Sequence, residues 1–342
     1  MKINTFSSTI RRREMDAVLT CMVEEKLGPG ELNTRFVQKA KELLAVSGVF
    51  ALRSPAIALK YALKASGVEK DSGVILSALA PSWQYTTVIE LGYNPVIVDV
   101  SIETGLVTAE TVQNGIQNGG RVLLLHESLG QVPNFTELLE LNIPIIEDIS
   151  QNAGAMFGEE KVGSFGTFAI VGLEQNDILT AGGGALLIAG KSRNWAALKN
   201  CMEKAPQTDL LPDINSALGF VQIKEFNRNE DVRKEIHTAF IRALMQGKHK
   251  TFVNNSDIST PTAYSFPVIL EGSFKDVKQY ASKKEIEICL AYENSIVVVF
   301  PETNENLVNA NALALRCVLF PLYPRLAGAK TEKITKVLAT LP

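Results

Sequence analysis

Short apolar runs rich in β-branched residues recur through the first half of the chain, separated by longer stretches of helical period. They are Val49-Phe50-Ala51-Leu52, Val74-Ile75-Leu76, Val96-Ile97-Val98-Asp99-Val100, Val122-Leu123-Leu124-Leu125, Ile143-Pro144-Ile145-Ile146, Phe168-Ala169-Ile170-Val171 and Ala185-Leu186-Leu187-Ile188. Continuous rather than alternating hydrophobicity marks strands covered on both faces, so the pattern predicts an α/β architecture with a mostly parallel, seven-stranded sheet flanked by helices. Pro55 to Ser66 and Ala109 to Gln117 carry the intervening helical period. The alternation ends near residue 190.

Beyond it the pattern predicts a helix from Asn194 to Lys204, a loop around Pro206 to Pro212 and one long helix from Ile214 to Gln246. The polar stretch Gly247 to Thr262, with Asn254-Asn255-Ser256 and Pro261, reads as a boundary. It divides the chain into a large domain, 1–250, that includes an N-terminal arm, and a smaller α+β domain, 251–342. In the latter, strands are expected at Ser265 to Leu270 and Ser295 to Phe300, and helices at Phe274 to Lys283, Asn309 to Cys317 and Thr331 to Leu341.

Composition narrows the function classes. The 342 residues are 46% hydrophobic and 21% charged, as expected of a globular protein, and a formal net charge of −3 leaves no basic footprint for nucleic acid. No uninterrupted apolar run reaches the length needed to cross a bilayer, and the residues after Met1 lack a signal-peptide core, so the expected location is cytoplasmic. The cysteines Cys21, Cys201, Cys289 and Cys317 have neither metal-ligand spacing nor a disulfide pattern.

The candidate chemistry lies between residues 145 and 185. Ile146-Glu147-Asp148-Ile149-Ser150-Gln151, Val162-Gly163-Ser164-Phe165-Gly166 and Gly182-Gly183-Gly184-Ala185 appear in that order. Leu27-Gly28-Pro29-Gly30 and Gly92-Tyr93-Asn94-Pro95-Val96-Ile97-Val98-Asp99-Val100 precede them; Ser216-Ala217-Leu218-Gly219-Phe220-Val221-Gln222 and Phe320-Pro321-Leu322-Tyr323-Pro324 follow. Together these motifs resemble the DegT/DnrJ/EryC1/StrS sugar aminotransferases along nearly the whole chain. The resemblance implies the fold type I of enzymes that use pyridoxal phosphate (PLP), and a homodimer in which each subunit completes the other's site. It places Asp148 on the pyridine nitrogen, Gln151 on the ring hydroxyl and His126 near the cleft.

The sequence departs from the family pattern where the cofactor would be anchored. No lysine occurs between Lys161 and Lys191, and the expected Schiff-base position falls in Leu173-Glu174-Gln175-Asn176-Asp177-Ile178, near Asn176. No side chain there condenses with an aldehyde. At the phosphate cup stands Arg53-Ser54-Pro55-Ala56, where Ser54 is the candidate cofactor contact but also reads as an N-cap, and Pro55 removes one N–H. Pro81 occupies the ring-stacking position, with Trp83 and Tyr85 nearby as substitutes. Thr208-Asp209-Leu210 replaces the stretch that reaches across the dimer to the phosphate. Glu174 and Asp177 form a candidate carboxylate pair.

The sequence therefore points to a degenerate member with no catalytic lysine and no cofactor, binding a nucleotide sugar or a protein partner in polysaccharide metabolism. The alternative is an enzyme that holds PLP or pyridoxamine phosphate (PMP) without a covalent bond, as related lysine-lacking dehydratases do with histidine in the lysine position. The expected cleft is partly filled around Pro55 and Asn176 and too small for PLP plus a sugar.

Overall fold

A computed structural model describes residues 2–253, 258–303, 306–326 and 328–342; Asn254, Asn255 and Ser256 of the expected boundary lie outside the described residues. The chain opens with helices α1 (Arg12–Val23) and α2 (Glu31–Leu44), then alternates strictly. β1 (Gly48–Leu52), α3 (Pro55–Ala65), β2 (Gly73–Ser77), α4 (Ser82–Glu90), β3 (Asn94–Val98), α5 (Ala109–Gln117), β4 (Gly120–His126), α6 (Phe135–Glu140) and β5 (Ile145–Asp148) follow one another. A hairpin of β6 (Met156–Phe157) and β7 (Glu160–Lys161) precedes β8 (Phe168–Gly172) and β9 (Ala185–Ala189).

These strands form a seven-stranded sheet in the order β1-β9-β8-β5-β4-β2-β3. The β2–β3, β2–β4, β4–β5 and β5–β8 pairs are parallel, while β9 runs antiparallel to both β8 and β1, so it alone is reversed. Every residue of β2, β5, β8 and β9 is buried, as continuous apolar runs require. The expected run Ile143 to Ile146 enters the sheet later than predicted, because Pro144 has no N–H for the ladder, and β5 extends instead to Asp148. Asp148 thereby stands at the C-terminal edge of the sheet, beside His126 at the end of β4.

After β9 come α7 (Ser192–Met202), α8 (Asp213–Lys224) and α9 (Phe226–Leu244). The expected single long helix is thus two, divided at Glu225, whose carboxylate takes Arg13 and Arg228 at 2.6 and 2.7 Å. The remainder contains β10 (Ser259–Thr260), β11 (Phe266–Ile269), α10 (Phe274–Lys283), β12 (Cys289–Leu290), α11 (Ile296–Val299), α12 (Val308–Arg316), β13 (Cys317–Phe320) and α13 (Ala329–Leu338). A small antiparallel sheet of order β11-β13-β12 lies against α9, α10 and α13, with Phe240, Phe266, Phe320 and Leu338 in its core.

The apolar run expected as a strand, Ser295 to Phe300, is instead a helical turn. Tertiary bonding overrides its β-branched composition: the N–H groups of Ile296 and Val297 donate to the carbonyls of Ala80 and Ala78. This turn therefore lies across the loop that follows β2.

Candidate functional site

The C-terminal ends of β4, β5 and β8, the loop after β2 and the segment before α11 converge on a cavity of about 190 Å³. That is below the roughly 300–1,000 Å³ usual for ligand pockets. Hydrogen-bonding groups of His126, Ser128, Gln151, Asn176 and Asn294 line it together with Phe6, Leu79 and Tyr264. No lysine or arginine lines this cavity.

Asp148 is 1% exposed and lies behind the cavity wall. Its Oδ2 accepts from Gln84 Nε2 at 2.6 Å and is bonded to His126 Nδ1 at 2.9 Å. Its Oδ1 accepts from the Ser150 N–H at 3.2 Å and the Ser150 hydroxyl at 2.5 Å. Burial pushes the Asp148 carboxyl up, but the bond and charge of His126 and the two bonds from Ser150 outweigh it and hold it below the ordinary aspartate range. Four protein donors thus occupy the acceptor positions through which a pyridinium N–H would be held.

Of the sequence candidates, Gln151 and Asn176 meet in the cavity with His126. The Gln151 carbonyl already accepts from the Leu129 N–H at 2.7 Å. Ser54 and Trp83 are not brought there. Ser54 caps α3 by accepting from the Ile57 N–H at 3.2 Å, with Pro55 in the first turn, an arrangement that fixes the helix start. Trp83 is half-buried on α4 and packs on the apolar side of the sheet. Arg53 lies outside the cavity lining, and its N–H donates to the Asp209 carbonyl at 2.9 Å. Pro81 does line the cavity, bridged to Ser295 of the segment before α11. Asp177 accepts from the Glu174 N–H at 2.8 Å, so this pair is a local turn contact rather than two facing carboxylates. Gly182, Gly183 and Gly184 have φ of 71, 133 and 117°, values that make the tight turn into β9 glycine-dependent.

The donor set does not fit PLP. Among the described residues no lysine lines the cavity, Asp148 accepts from protein donors, Ser54 caps α3, and Pro81 stands at the cavity wall.

Three groups escaped sequence reasoning. Gln84, fully buried on α4, is the side chain that occupies Asp148; only an alignment of α4 with the end of β5 would reveal it. Glu127 and Glu147 form a buried carboxyl pair beneath the site. Glu147 accepts from the N–H groups of Gly163 at 2.7 Å and Gly166 at 2.5 Å, and Glu127 accepts from Asn152 at 2.6 Å. Burial raises Glu147 to about 7 against the pull of those backbone donors. Burial and then the Glu147 charge raise Glu127 well above the carboxylate range. Arg233, on α9, lies 8% exposed beside a recess next to the cavity.

Comparison with known proteins sets this geometry in a family. Residues 8–340 match the model of the DegT/DnrJ/EryC1/StrS aminotransferase family. An L-glutamine:2-deoxy-scyllo-inosose aminotransferase of Micromonospora echinospora is 28% identical over 48% of this chain, which spans only 40% of that relative's length. A UDP-4-amino-4,6-dideoxy-N-acetyl-beta-L-altrosamine transaminase of Campylobacter jejuni is 23% identical, with 81% of this chain and 77% of the relative covered. Among solved structures, an aminotransferase from Psychrobacter cryohalolentis superposes with a TM-score of 0.88 at 18% identity, covering 97% of each chain. A sugar aminotransferase from Micromonospora echinospora gives a TM-score of 0.87 at 14% identity, covering 98% of each chain. At these identities the structural likeness establishes the fold alone. No helix among the described residues is long and apolar enough to cross a membrane.

Proposed function

The chain belongs to the DegT/DnrJ/EryC1/StrS aminotransferase family, and from that premise we propose that it is a homodimeric member that does not transaminate and holds a sugar ligand, such as the glycosyl part of a nucleotide sugar, in its reduced cavity. The observation that carries the reading is the four-donor saturation of Asp148 beside a cavity without a lysine. A transaminase needs an amine to carry the cofactor and an acid free to hold the pyridine nitrogen. Here the acid is bound into the protein, and the polar groups lining the space beyond it are the amides of Gln151, Asn176 and Asn294, the hydroxyls of Ser128, Tyr264 and Tyr292, the His126 ring and the Glu293 carboxylate. Such groups match the hydroxyls of a sugar ring.

Support for a second copy comes from α1. Met15, Leu19, Met22 and Val23 share one face of this helix and are 54–74% exposed, with Leu27 continuing the patch at 47%. A clustered apolar face of this kind suits an isologous interface. Light scattering is expected to give twice the 37.3 kDa chain mass, and a monomer at micromolar concentration would refute this part.

The test of the main reading is an absorbance spectrum of the purified protein with and without added PLP, followed by borohydride reduction. No aldimine band and no lysine adduct are expected. A yellow protein with a reduced lysine adduct would overturn the reading and restore the aminotransferase. A retained PLP or PMP chromophore without an adduct would restore the non-covalent enzyme.

A further inference from the structure

Arg233 is a buried cation beside the cavity whose guanidinium makes only one long hydrogen bond and one 4.0 Å ion pair. It is 8% exposed, and its Nε and Nη1 atoms have no hydrogen-bond partner. Nη2 reaches only the Ile178 carbonyl, at 3.5 Å, and Glu230 stands 4.0 Å from Nη1, beyond hydrogen-bond distance. Glu230 uses Oε1 to accept from the Ala263 N–H at 3.0 Å, and its Oε2, which accepts no hydrogen bond, forms the 4.0 Å ion pair with Nη1. A guanidinium has five N–H donors and cannot shed its proton to escape burial, so Nε and Nη1 have donors open to a further acceptor.

The position of the recess shows what that acceptor would be attached to. Arg233 borders a recess of about 20 Å³, large enough for one oxygen-sized group, whose walls include Phe6, Asn176 and Tyr264. The same three residues also wall the 190 Å³ cavity, so the two spaces are adjacent. The larger space offers amides, hydroxyls, the His126 ring and the Glu293 carboxylate, with no lysine or arginine; the smaller offers a guanidinium and no room for a ring. A ligand that satisfies both has a hydroxylated ring and one anionic oxygen group.

We propose that the cleft is a site for an acidic sugar, a hexuronate ring whose carboxylate is held by Arg233 while the ring occupies the space beside Gln151 and Asn176. This rests on reading the cavity as a sugar site. Asp177 borders the same recess. Burial, with the charges of Asp148 and Glu174, keeps its proton on up to about 7 despite the Glu174 N–H, so below that pH it faces the ligand as a neutral donor. Tyr264, raised by its own burial, stays neutral throughout. Arg233 stays cationic although burial lowers it. Glu230, raised by burial, contacts Arg233 from within α9. Anion binding is therefore expected to weaken as pH rises from 6 to 8.

The test compares D-glucuronate with D-glucuronamide, which differ in charge at one position, by calorimetric titration of the full chain. Glucuronate is expected to bind at least about tenfold more tightly than the amide, and Arg233→Gln to abolish the difference while Arg233→Lys keeps part of it. Equal binding of the two ligands would overturn the carboxylate assignment and leave the sugar reading standing. Binding of neither would overturn both. A water held in the recess in place of a ligand group gives the equal-binding result. The comparison in the unaltered protein needs no variant, so it decides the question even where Arg233→Gln fails to fold.

Discussion

Replacing Asp148 separates a cofactor acid from a structural one, because the two roles have opposite effects on the unliganded protein. An acid kept for a ligand is strained or neutral when the ligand is away, whereas Asp148 here answers four donors from Gln84, His126 and Ser150 in a site 1% exposed. Asp148→Ala strands those donors. At about 1–3 kcal/mol for each buried unsatisfied group, less what the Ser150 hydroxyl recovers by rotating, the expected loss is about 3–5 kcal/mol. That is a large part of a typical stability of roughly 5–15 kcal/mol. Asp148→Asn keeps the shape but turns an amide toward donors, and is expected to cost about 1–3 kcal/mol. The sign with pH follows from the depressed carboxyl. Its contribution is present above the unfolded value near 3.9 and fades as pH falls through the lower folded value. Asp148's own contribution to the gap between wild type and Asp148→Asn should therefore be lost only in acid. Urea denaturation followed by the fluorescence of Trp83 and Trp195 measures it. An Asp148→Asn protein as stable as wild type, or more so, would refute the structural role and reopen the site to a cofactor.

Other perturbations test the surroundings. Glu127→Gln supplies Glu147 with a permanent neighbour in place of a buried acid. The wild-type pair has raised folded values, so its stability falls as pH climbs from about 4.5 toward 7. The variant has no Glu127 carboxyl to keep protonated against burial and the Glu147 charge, so its stability relative to wild type should rise from pH 5 to pH 8; thermal melts at pH 5 and pH 8 that shift equally would count against it. Gly172→Ala places a methyl 2.4 Å from Asp177 Oδ2 and 2.9 Å from Ser150 Oγ, and should lower stability by about 1–3 kcal/mol, read as a drop in urea midpoint. Asp213→Ala removes the acceptor for the N–H groups of Gly30, Leu32 and Asn33 at the start of α2. It should cost about 1–2 kcal/mol and raise amide exchange at those residues first.

The large sheet was legible because parallel strands announce themselves as unbroken apolar runs, and all seven stand where those runs lie, displaced by a residue or two at β3 and β5. Two elements were not legible, for different reasons. The run Ser295 to Phe300 has strand composition, but two backbone bonds to Ala78 and Ala80 coil it, and such long-range bonds leave no local trace. The break at Glu225 falls inside a continuous helical period, and Glu225 is met there by Arg228 and by Arg13 from the other end of the sequence, a contact that leaves no local trace. At the site, the absence of any lysine between Lys161 and Lys191 could be read directly from the sequence. The partner that takes Asp148's lone pair could not, since Gln84 lies 64 residues away and the reading of that loop turned on aromatic side chains.

The changes around Asp148 gain weight from being coupled. A lost lysine alone would leave an acid facing an empty cofactor pocket, and a buried charge without its partner is costly. In this chain Gln84 and Ser150 take up the acid's lone pairs, and the turn at Ile296 hydrogen-bonds across the loop after β2. The carboxylate thus has its charge met by close donors inside the protein, while the guanidinium of Arg233 has only a 4.0 Å ion pair with Glu230 and two nitrogens without hydrogen-bond partners. One charge in the cleft has been absorbed into the fold and the other left open, and the open one sits at the end where a sugar's carboxylate would reach it.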